Sequence, residues 1–197
     1  MNYIIKPAAT LFFTAVITIA AVSVVYNLTL EPIERQARRT RETTMRAVLP
    51  AAADFRELVV ERGGGTTASK AGNIVAVFEG SSGGLLLGYI VALSPVGYSG
   101  NIDLMVGISA RDEMITGVRI LRHSETPGLG ALAARESFYR RFDNRPLVPL
   151  SVVRTSPGEH EISAITSSTI TTQAITNAVN EAINWYSAAR SGEGGGR

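Results

Sequence analysis

A long stretch without charged side chains opens the chain. It runs from Pro7 to Leu30, and a helix of that length can cross a hydrocarbon core of about 30 Å. The stretch is too long for the apolar core of a signal peptide, and no clear small-residue cleavage site follows it. The pattern therefore predicts one uncleaved transmembrane helix, with residues 1–30 as the membrane anchor.

Charged residues dominate the next segment. Glu31 to Leu49 carries scattered apolar residues among its charges, which predicts a helical stalk that continues from the membrane and stops at Pro50. One or two further helical turns are predicted over Ala51–Arg62, and the glycines at 63–65 then interrupt the pattern. We assign residues 31–62 to this stalk and linker.

Short apolar runs separated by turn residues follow the glycines and predict a sheet. The predicted strands are Ile74–Glu79, Leu85–Leu93, Leu104–Ile108 and Ile115–Leu121. A helix is predicted over Leu132–Phe142, and a last helix is predicted to begin near Thr171 or Thr172. One apolar stripe on this last helix comprises Ile175, Ala178, Val179, Ala182, Ile183 and Tyr186. The pattern indicates an α+β domain over residues 63–190, followed by a flexible glycine-rich tail over 191–197.

Composition narrows the possible chemistry. The chain has no cysteine, which excludes thiolate-held iron–sulfur clusters, thiol catalysis and disulfides, and its two histidines exclude a multi-histidine metal site. Its net charge of +2 is too small to argue for nucleic acid as a partner. The arginines between Arg35 and Arg46 lie beside the predicted anchor, where lipid headgroups or acidic partner surfaces suit them.

A run of hydroxyl side chains precedes the last predicted helix. It spans Ser163 to Thr169 and includes Thr166, Ser167 and Ser168. Hydroxyls at this position are natural helix caps, and the free N–H groups of a helix N-terminus favour an anion. The segment therefore indicates either a simple cap or a place that favours an anion such as phosphate.

A second candidate segment is the loop Glu125-Thr126-Pro127-Gly128-Leu129-Gly130. Gly128 and Gly130 permit close backbone approach and unusual dihedral angles, Pro127 stiffens the entry, and Leu129 offers an apolar surface. This pattern is typical of a cofactor wall. It is also compatible with a structural turn between a strand and a helix.

Together the two segments resemble the FMN-binding domain shared by the G subunit of the Rnf electron-transport complex and the C subunit of the sodium-pumping NADH:quinone reductase. The stretch Gly97-Tyr98-Ser99-Gly100 and the strand ending in Val106-Gly107-Ile108 are similar to that family as well. The resemblance implies FMN joined through its phosphate to Thr169, beside Thr166, Ser167 and Ser168. It also places Glu125, Thr126, Gly128, Leu129 and Gly130 against the flavin.

The chain departs from the family pattern at three positions. Ser163, Ser167 and Ser168 stand where the family has an acid, a glycine and an alanine. A serine at the glycine position means either an ordinary backbone there or a slightly strained turn. These departures keep Ser168, Thr171 and Thr172 open as second choices for the attachment.

The resemblance also implies a function. The chain would be the electron-carrying subunit of a membrane-bound, ion-translocating ferredoxin:NAD oxidoreductase, without independent substrate turnover. Its partners would be the A, B, C, D and E subunits of the Rnf complex, the lipid bilayer and a flavin transferase of the ApbE type.

The orientation in the membrane depends on which indication is followed. The arginine count would place the domain in the cytoplasm. The resemblance implies the opposite, periplasmic side of the bacterial inner membrane, and we follow it because a translocated domain and partner subunits can override a local arginine count.

Three alternatives remain open. The chain resembles the quinone-reductase C subunit within the same family, and it could also be a membrane-anchored flavin sensor or an assembly subunit that has lost its flavin.

Tyr98 and His123 could contact a flavin, but we interpret Tyr98 as a packing residue and His123 as a hydrogen-bonded residue at a strand end.

Overall fold

The computed structural model describes residues 2–58 and 72–193, which divide into two compact units, Met1–Glu42 and Thr43–Arg197. Helix α1 (Asn2–Val48) makes up the described part of the first unit and ends in the second. It confirms the helix predicted from Glu31 to Leu49, as far as Val48. Among the residues that can be described, none of the helices has both the length and the apolar character needed to cross a membrane. The transmembrane helix is therefore not confirmed.

Six antiparallel strands form the main sheet, and each pairs with its neighbour along the chain. They are β1 (Asp54–Leu58), β2 (Ile74–Ser82), β3 (Leu85–Leu93), β4 (Ile102–Ser109), β5 (Met114–His123) and β6 (Arg145–Pro146). The four strands predicted from the sequence are confirmed as β2 to β5, with bounds that differ by a few residues.

Strand β1 shows that the helical turns predicted over Ala51–Arg62 are wrong as far as Leu58, where this part of the description ends. Phe55 pairs with Gly80 at the edge of the sheet. A helix this short is only marginally stable in water, whereas an open sheet edge offers backbone hydrogen bonds. The glycines at 63–65 lie outside the described residues.

The two faces of the sheet are covered by different helices. Helix α3 (Thr169–Glu193) packs its stripe on one face, and every member of the predicted stripe is buried there. On the other face, Met45 and Val48 from the end of α1 pack with Phe78 and Met105. The Val48 carbonyl accepts a hydrogen bond from the Thr116 hydroxyl. The strands read as nearly continuous apolar runs because both faces are buried.

The helix predicted over Leu132–Phe142 is broken into three pieces. A 3-10 turn over Gly130–Ala134 precedes α2 (Glu136–Tyr139), and a second 3-10 turn covers Arg140–Phe142. Arg135 interrupts the helical path with an extended backbone, at φ −80° and ψ 145°. The segment buries the rings of Phe138 and Phe142 edge to face, with their centroids 5.7 Å apart.

The remaining elements lie at the end of the chain. Strands β7 (Ser151–Val153) and β8 (Glu161–Ser163) form a separate parallel pair that the sequence pattern did not predict. Helix α3 begins at Thr169, earlier than predicted, and continues to Glu193, which is inside the predicted tail. Residues 194–197 of that tail lie outside the described part. The predicted domain bounds stay a prediction.

Candidate functional site

A buried carboxylate organises the loop that follows β5. Glu125 is only 6% exposed. Its Oε1 accepts the backbone N–H groups of Tyr98, at 2.8 Å, and Ser99, at 3.0 Å. The turn between β3 and β4 is thereby held against the loop after β5.

The second oxygen of the same carboxylate contacts the last helix. The Thr171 hydroxyl donates to Glu125 Oε2 at 2.7 Å, and the Ser168 hydroxyl donates to Thr171 Oγ1 at 2.8 Å. Both hydroxyl residues are buried. Glu125 therefore joins three segments that are distant in the sequence, and its oxygens are occupied by donors from the protein.

Glycines make room for this carboxylate. A Cβ atom at Gly97 would overlap Glu125 Oε1, and one at Gly130 would overlap Glu125 Oε2. Gly128 differs, because nothing lies near its missing side chain, but its φ of +80° disfavours other residues. The sequence predicted a need for glycine at 128 and 130, and the structure gives each position its own reason.

A cleft of about 430 Å³ lies between the loop and the start of α3. It is lined by Tyr98, Glu125, Thr126, Leu129, Gly130, Ser167, Ser168, Thr169, Ile170 and Thr171. The structure thus brings together all the predicted site residues except Gly128, which lines no part of it, and Thr166, which lines a neighbouring cleft.

The cleft has an apolar rim, of which the sequence analysis assigned only Leu129 to the site. Tyr98 is 72% exposed, Ile170 is 57% exposed and Leu129 is 43% exposed. We interpreted Tyr98 as a packing residue, and its exposure shows that this interpretation is wrong. The turn Gly-Tyr-x-Gly does not by itself predict that its tyrosine lines a cleft. The opposite wall of this cleft is formed by residues 167–171, which lie far from Tyr98 in the sequence.

A second cleft, of about 360 Å³, adjoins the first. Arg154, Ala164, Ile165, Thr166, Ser167 and Thr169 line it. Ser167 and Thr169 line both clefts. Thr169 therefore lies where an apolar space meets a space that contains a basic side chain.

The hydroxyl groups near the start of α3 differ in availability. Thr169 is half-buried, and within the described part of the chain its hydroxyl makes no hydrogen bond. Thr172 is fully buried, and its hydroxyl donates to the Ser168 carbonyl at 3.0 Å and accepts the Ile165 N–H. Ser168 and Thr171 are buried and bonded as described above. Of the alternative attachment residues, none offers an open hydroxyl.

Of the two alternatives for Ser167, an ordinary backbone or a slightly strained turn, the structure has the strained turn. Its φ is +62°, in the left-handed region that glycine adopts more easily. The following turn begins α3, because the Thr172 N–H is hydrogen-bonded to the Ser168 carbonyl at 3.1 Å. The backbone therefore keeps a conformation suited to glycine although a serine occupies the position.

His123 is a structural residue. It ends β5 opposite Ile102, and its Nδ1 accepts the Glu125 N–H at 3.3 Å. It lines neither of the two clefts. Across residues 2–58 and 72–193, no group of acidic and histidine side chains is arranged to hold a metal ion.

Known proteins are similar to this chain in sequence or in fold. Residues 97–184 match the FMN-binding domain family, and residues 1–48 match the RnfG N-terminal region. In fold, the chain is similar to the crystal structure of the C subunit of the Na⁺-translocating NADH-quinone reductase from Parabacteroides distasonis. The TM-score is 0.59 at 17% identity, and the match covers 81% of this chain and 96% of the other.

Two relatives match nearly the full length. The G subunit of the ion-translocating oxidoreductase complex from Methanosarcina acetivorans is 32% identical over 189 residues, which cover 93% of this chain and 96% of the relative. The G subunit of the Na⁺-translocating ferredoxin:NAD⁺ oxidoreductase complex from Acetobacterium woodii is 35% identical over 192 residues, which cover 93% and 91%. The chain therefore belongs to the RnfG family, the G subunits of ion-translocating oxidoreductase complexes.

Proposed function

We propose that this chain is the FMN-carrying electron-relay subunit of a membrane-bound, ion-translocating ferredoxin:NAD oxidoreductase, with FMN joined through its phosphate to Thr169. The observation that carries the proposal is the half-buried, unbonded Thr169 hydroxyl at the junction of two clefts. FMN, when bound, supplies the electron-transfer chemistry, while the protein holds and orients it. The subunit passes electrons between carriers and has no substrate turnover of its own.

The residues around Thr169 suit a flavin. A space of about 430 Å³ lies within the range of about 300–1,000 Å³ that is usual for cofactor clefts. Tyr98, Leu129 and Ile170 offer apolar surface for a ring system. Glu125 acts as a positioning residue, because both of its oxygens accept hydrogen bonds that hold the walls together.

The attachment requires an activated donor, since a simple phosphate ester does not esterify a second hydroxyl in water without energy input. We assign this role to a flavin dinucleotide. The bond from Thr169 Oγ to the flavin-side phosphorus forms, the diphosphate P–O bond breaks, and a nucleoside monophosphate leaves. A base on the ApbE-type transferase takes the hydroxyl proton. This chain contributes the nucleophilic oxygen and the shape of the site.

The partners and location follow from the same proposal. The chain assembles with the A to E subunits of the Rnf complex, residues 1–30 anchor it in the inner membrane, and its domain lies on the periplasmic side. The uncharged stretch and its match to the RnfG N-terminal region support the anchor.

Because the chain has no cysteine, Arg111→Cys at an exposed turn creates a single labelling site. A membrane-impermeant maleimide should label it in intact spheroplasts, and labelling only after lysis would contradict the orientation.

The central test is covalent modification. The chain is expressed with the transferase and run on a denaturing gel under ultraviolet light, and its modified peptide is mapped by mass spectrometry. Fluorescence should be lost in Thr169→Val and kept in the matched control Thr43→Val, an exposed threonine that lines neither cleft. A flavin on any other residue would refute Thr169 as the attachment site.

An unmodified wild-type chain would refute covalent attachment and favour the assembly-subunit alternative. The three departures from the family pattern, at Ser163, Ser167 and Ser168, would then explain why no flavin is attached. Copurified proteins separate the remaining alternatives. Rnf subunits would support the proposal, whereas quinone-reductase subunits would favour a role in that enzyme instead.

A further inference from the structure

Arg154 is the one basic side chain that lines either of the two clefts in the described part of the chain. It lies in the smaller cleft together with Thr166, Ser167 and Thr169. The larger cleft has no basic residue among its described lining. The two spaces that meet at Thr169 therefore differ in chemistry, one with an apolar rim and one with a cation.

The parallel strands β7 and β8 place Arg154 in this position. Val153 pairs with Ser163, and the Ala164 N–H donates to the Val153 carbonyl at 2.7 Å. Arg154 is the residue that follows β7, so it lies beside the chain that leads from β8 into α3. This short strand pair thus brings Arg154 beside the attachment segment that follows it in the chain.

Several other arginines of the domain already have acidic partners. Arg119 pairs with Asp143 at 3.3 Å, and Arg122 pairs with Asp103 at 2.9 Å. Arg154 has no ion pair or hydrogen bond with any described residue, and it is exposed. Arg154 lines a cleft of about 360 Å³, and its unpaired guanidinium is therefore available to an anion there.

We infer that Arg154 binds the phosphate ester of the flavin, an inference that rests on the proposed function and deepens it. The non-bridging oxygens of a phosphate on Thr169 carry negative charge, and a guanidinium is well matched to them. The positive end of α3 favours the same charge. Arg154 is a binding residue, since it touches the phosphate and leaves the electron-carrying ring to the other cleft.

The phosphate could be recognised before or after attachment, as part of the donor diphosphate or as the finished diester. A thermodynamic cycle tests the finished diester. The full-length chain is prepared in loaded form and in unloaded form as Thr169→Val, each with Arg154 and with Arg154→Gln, and thermal unfolding is followed by circular dichroism. The matched control is Arg111→Gln, an exposed arginine that lines neither cleft.

We expect Arg154→Gln to lower the Tm of the loaded form by about 2–4 °C and to leave the unloaded form unchanged. The difference should shrink at high salt, because the pair is exposed. Arg154→Lys should retain part of it, and Arg111→Gln should have no effect on either form. The second measurement is the initial rate of flavin attachment. A several-fold lower rate in Arg154→Gln would show that Arg154 already contacts the diphosphate of the donor.

The outcomes separate the two proposals. Equal effects of Arg154→Gln on loaded and unloaded protein, together with an unchanged attachment rate, would overturn the inference and leave the proposed function intact. A wild-type chain that the transferase does not load would overturn the proposed function and this inference with it.

Discussion

Glu125 and Thr171 are joined by a hydrogen bond of 2.7 Å between a carboxylate oxygen and a hydroxyl, across a sequence separation of 46 residues. The other carboxylate oxygen accepts two backbone N–H groups from the turn between β3 and β4. One buried side chain thus fixes the distance between the two walls of the larger cleft. Its contribution can be measured separately from any cofactor.

Replacing Glu125 by alanine should destabilise the domain by about 3 kcal/mol, because buried donors lose their acceptor. Glu125→Gln should cost less, about 1 kcal/mol, since its amide can donate to Thr171 Oγ1 while its oxygen keeps the backbone donors. Urea unfolding of the unloaded chain measures both changes. Glu136→Ala, which removes an exposed pair with Arg140, is the control and should change stability by less than about 0.5 kcal/mol. Equal losses in the two Glu125 variants would contradict this account.

The threonines at the start of α3 should respond differently to the same change. Thr171→Val removes a buried hydroxyl that donates to Glu125 and accepts from Ser168, so we expect a loss of about 1–2 kcal/mol. Thr169→Val removes an unbonded hydroxyl and should change stability by less than about 0.5 kcal/mol. Thermal unfolding of unloaded protein gives both values. A Thr169→Val loss as large as that of Thr171→Val would show that the Thr169 hydroxyl is already engaged.

Ser167→Gly should stabilise the unloaded chain. The serine has a φ of +62°, which glycine adopts without strain. Glycine also raises the conformational entropy of the unfolded chain, but we expect the relief of strain to be larger, with a net gain of about 0.5–1 kcal/mol. The matched variant Ser167→Ala removes the hydroxyl and keeps the backbone strain, so it should bring no gain. If alanine stabilises the chain as much as glycine does, the effect belongs to the hydroxyl.

Alanine at the two loop glycines should be unfavourable for different reasons. Gly130→Ala introduces a methyl group into the space of the Glu125 carboxylate and Thr171 Oγ1, and we expect a loss of at least about 2 kcal/mol. Gly128→Ala meets no atom but keeps a φ of +80°, for a loss of about 1 kcal/mol.

The combination with Glu125→Ala identifies the origin of each loss. The Gly130→Ala loss should shrink in the Glu125→Ala background, because the overlapping carboxylate is gone. The Gly128→Ala loss should stay the same. A constant Gly130→Ala loss would show that space beside Glu125 is not the reason for this glycine.

Tyr98 should affect flavin binding and leave folding almost unchanged. Tyr98 is 72% exposed at the rim of the cleft, so Tyr98→Ala should change stability little. Stacking or packing of a flavin on this ring predicts a loss of about tenfold in the noncovalent FMN affinity of the Thr169→Val protein. Fluorescence titration measures it, and Tyr98→Phe should retain most of the affinity. An unchanged affinity in Tyr98→Ala would place the ring system elsewhere.

The sequence predicted most of the sheet and the last helix because their apolar patterns reflect burial directly. Strands β2 to β5 are covered on both faces, and the stripe of α3 lies on the sheet. Strand β1, by contrast, depends on an edge that the distant β2 provides. The pair β7 and β8 is too short to have a readable period. The break at Arg135, with its extended backbone, leaves no mark in the apolar pattern of the segment.

The sequence predicted those site residues that lie in short recognisable segments. It did not predict the contacts that form only when separate segments fold together. Glu125 and Thr169 lie in recognisable segments. The hydrogen bonds from Tyr98 and Ser99 to Glu125, and the approach of Arg154 to the attachment segment, depend on contacts between remote residues. Such contacts leave no periodic mark in the chain.

The order of the elements along the chain has a consequence for biosynthesis. The sheet forms from neighbouring strands, whereas one wall of the larger cleft belongs to the final helix. A chain that is still being translated, or that is truncated before residue 169, cannot present the cleft at all. Under the proposed function, flavin loading at Thr169 therefore has to follow the synthesis and folding of the start of α3, because the attachment residue and its cleft do not exist before then.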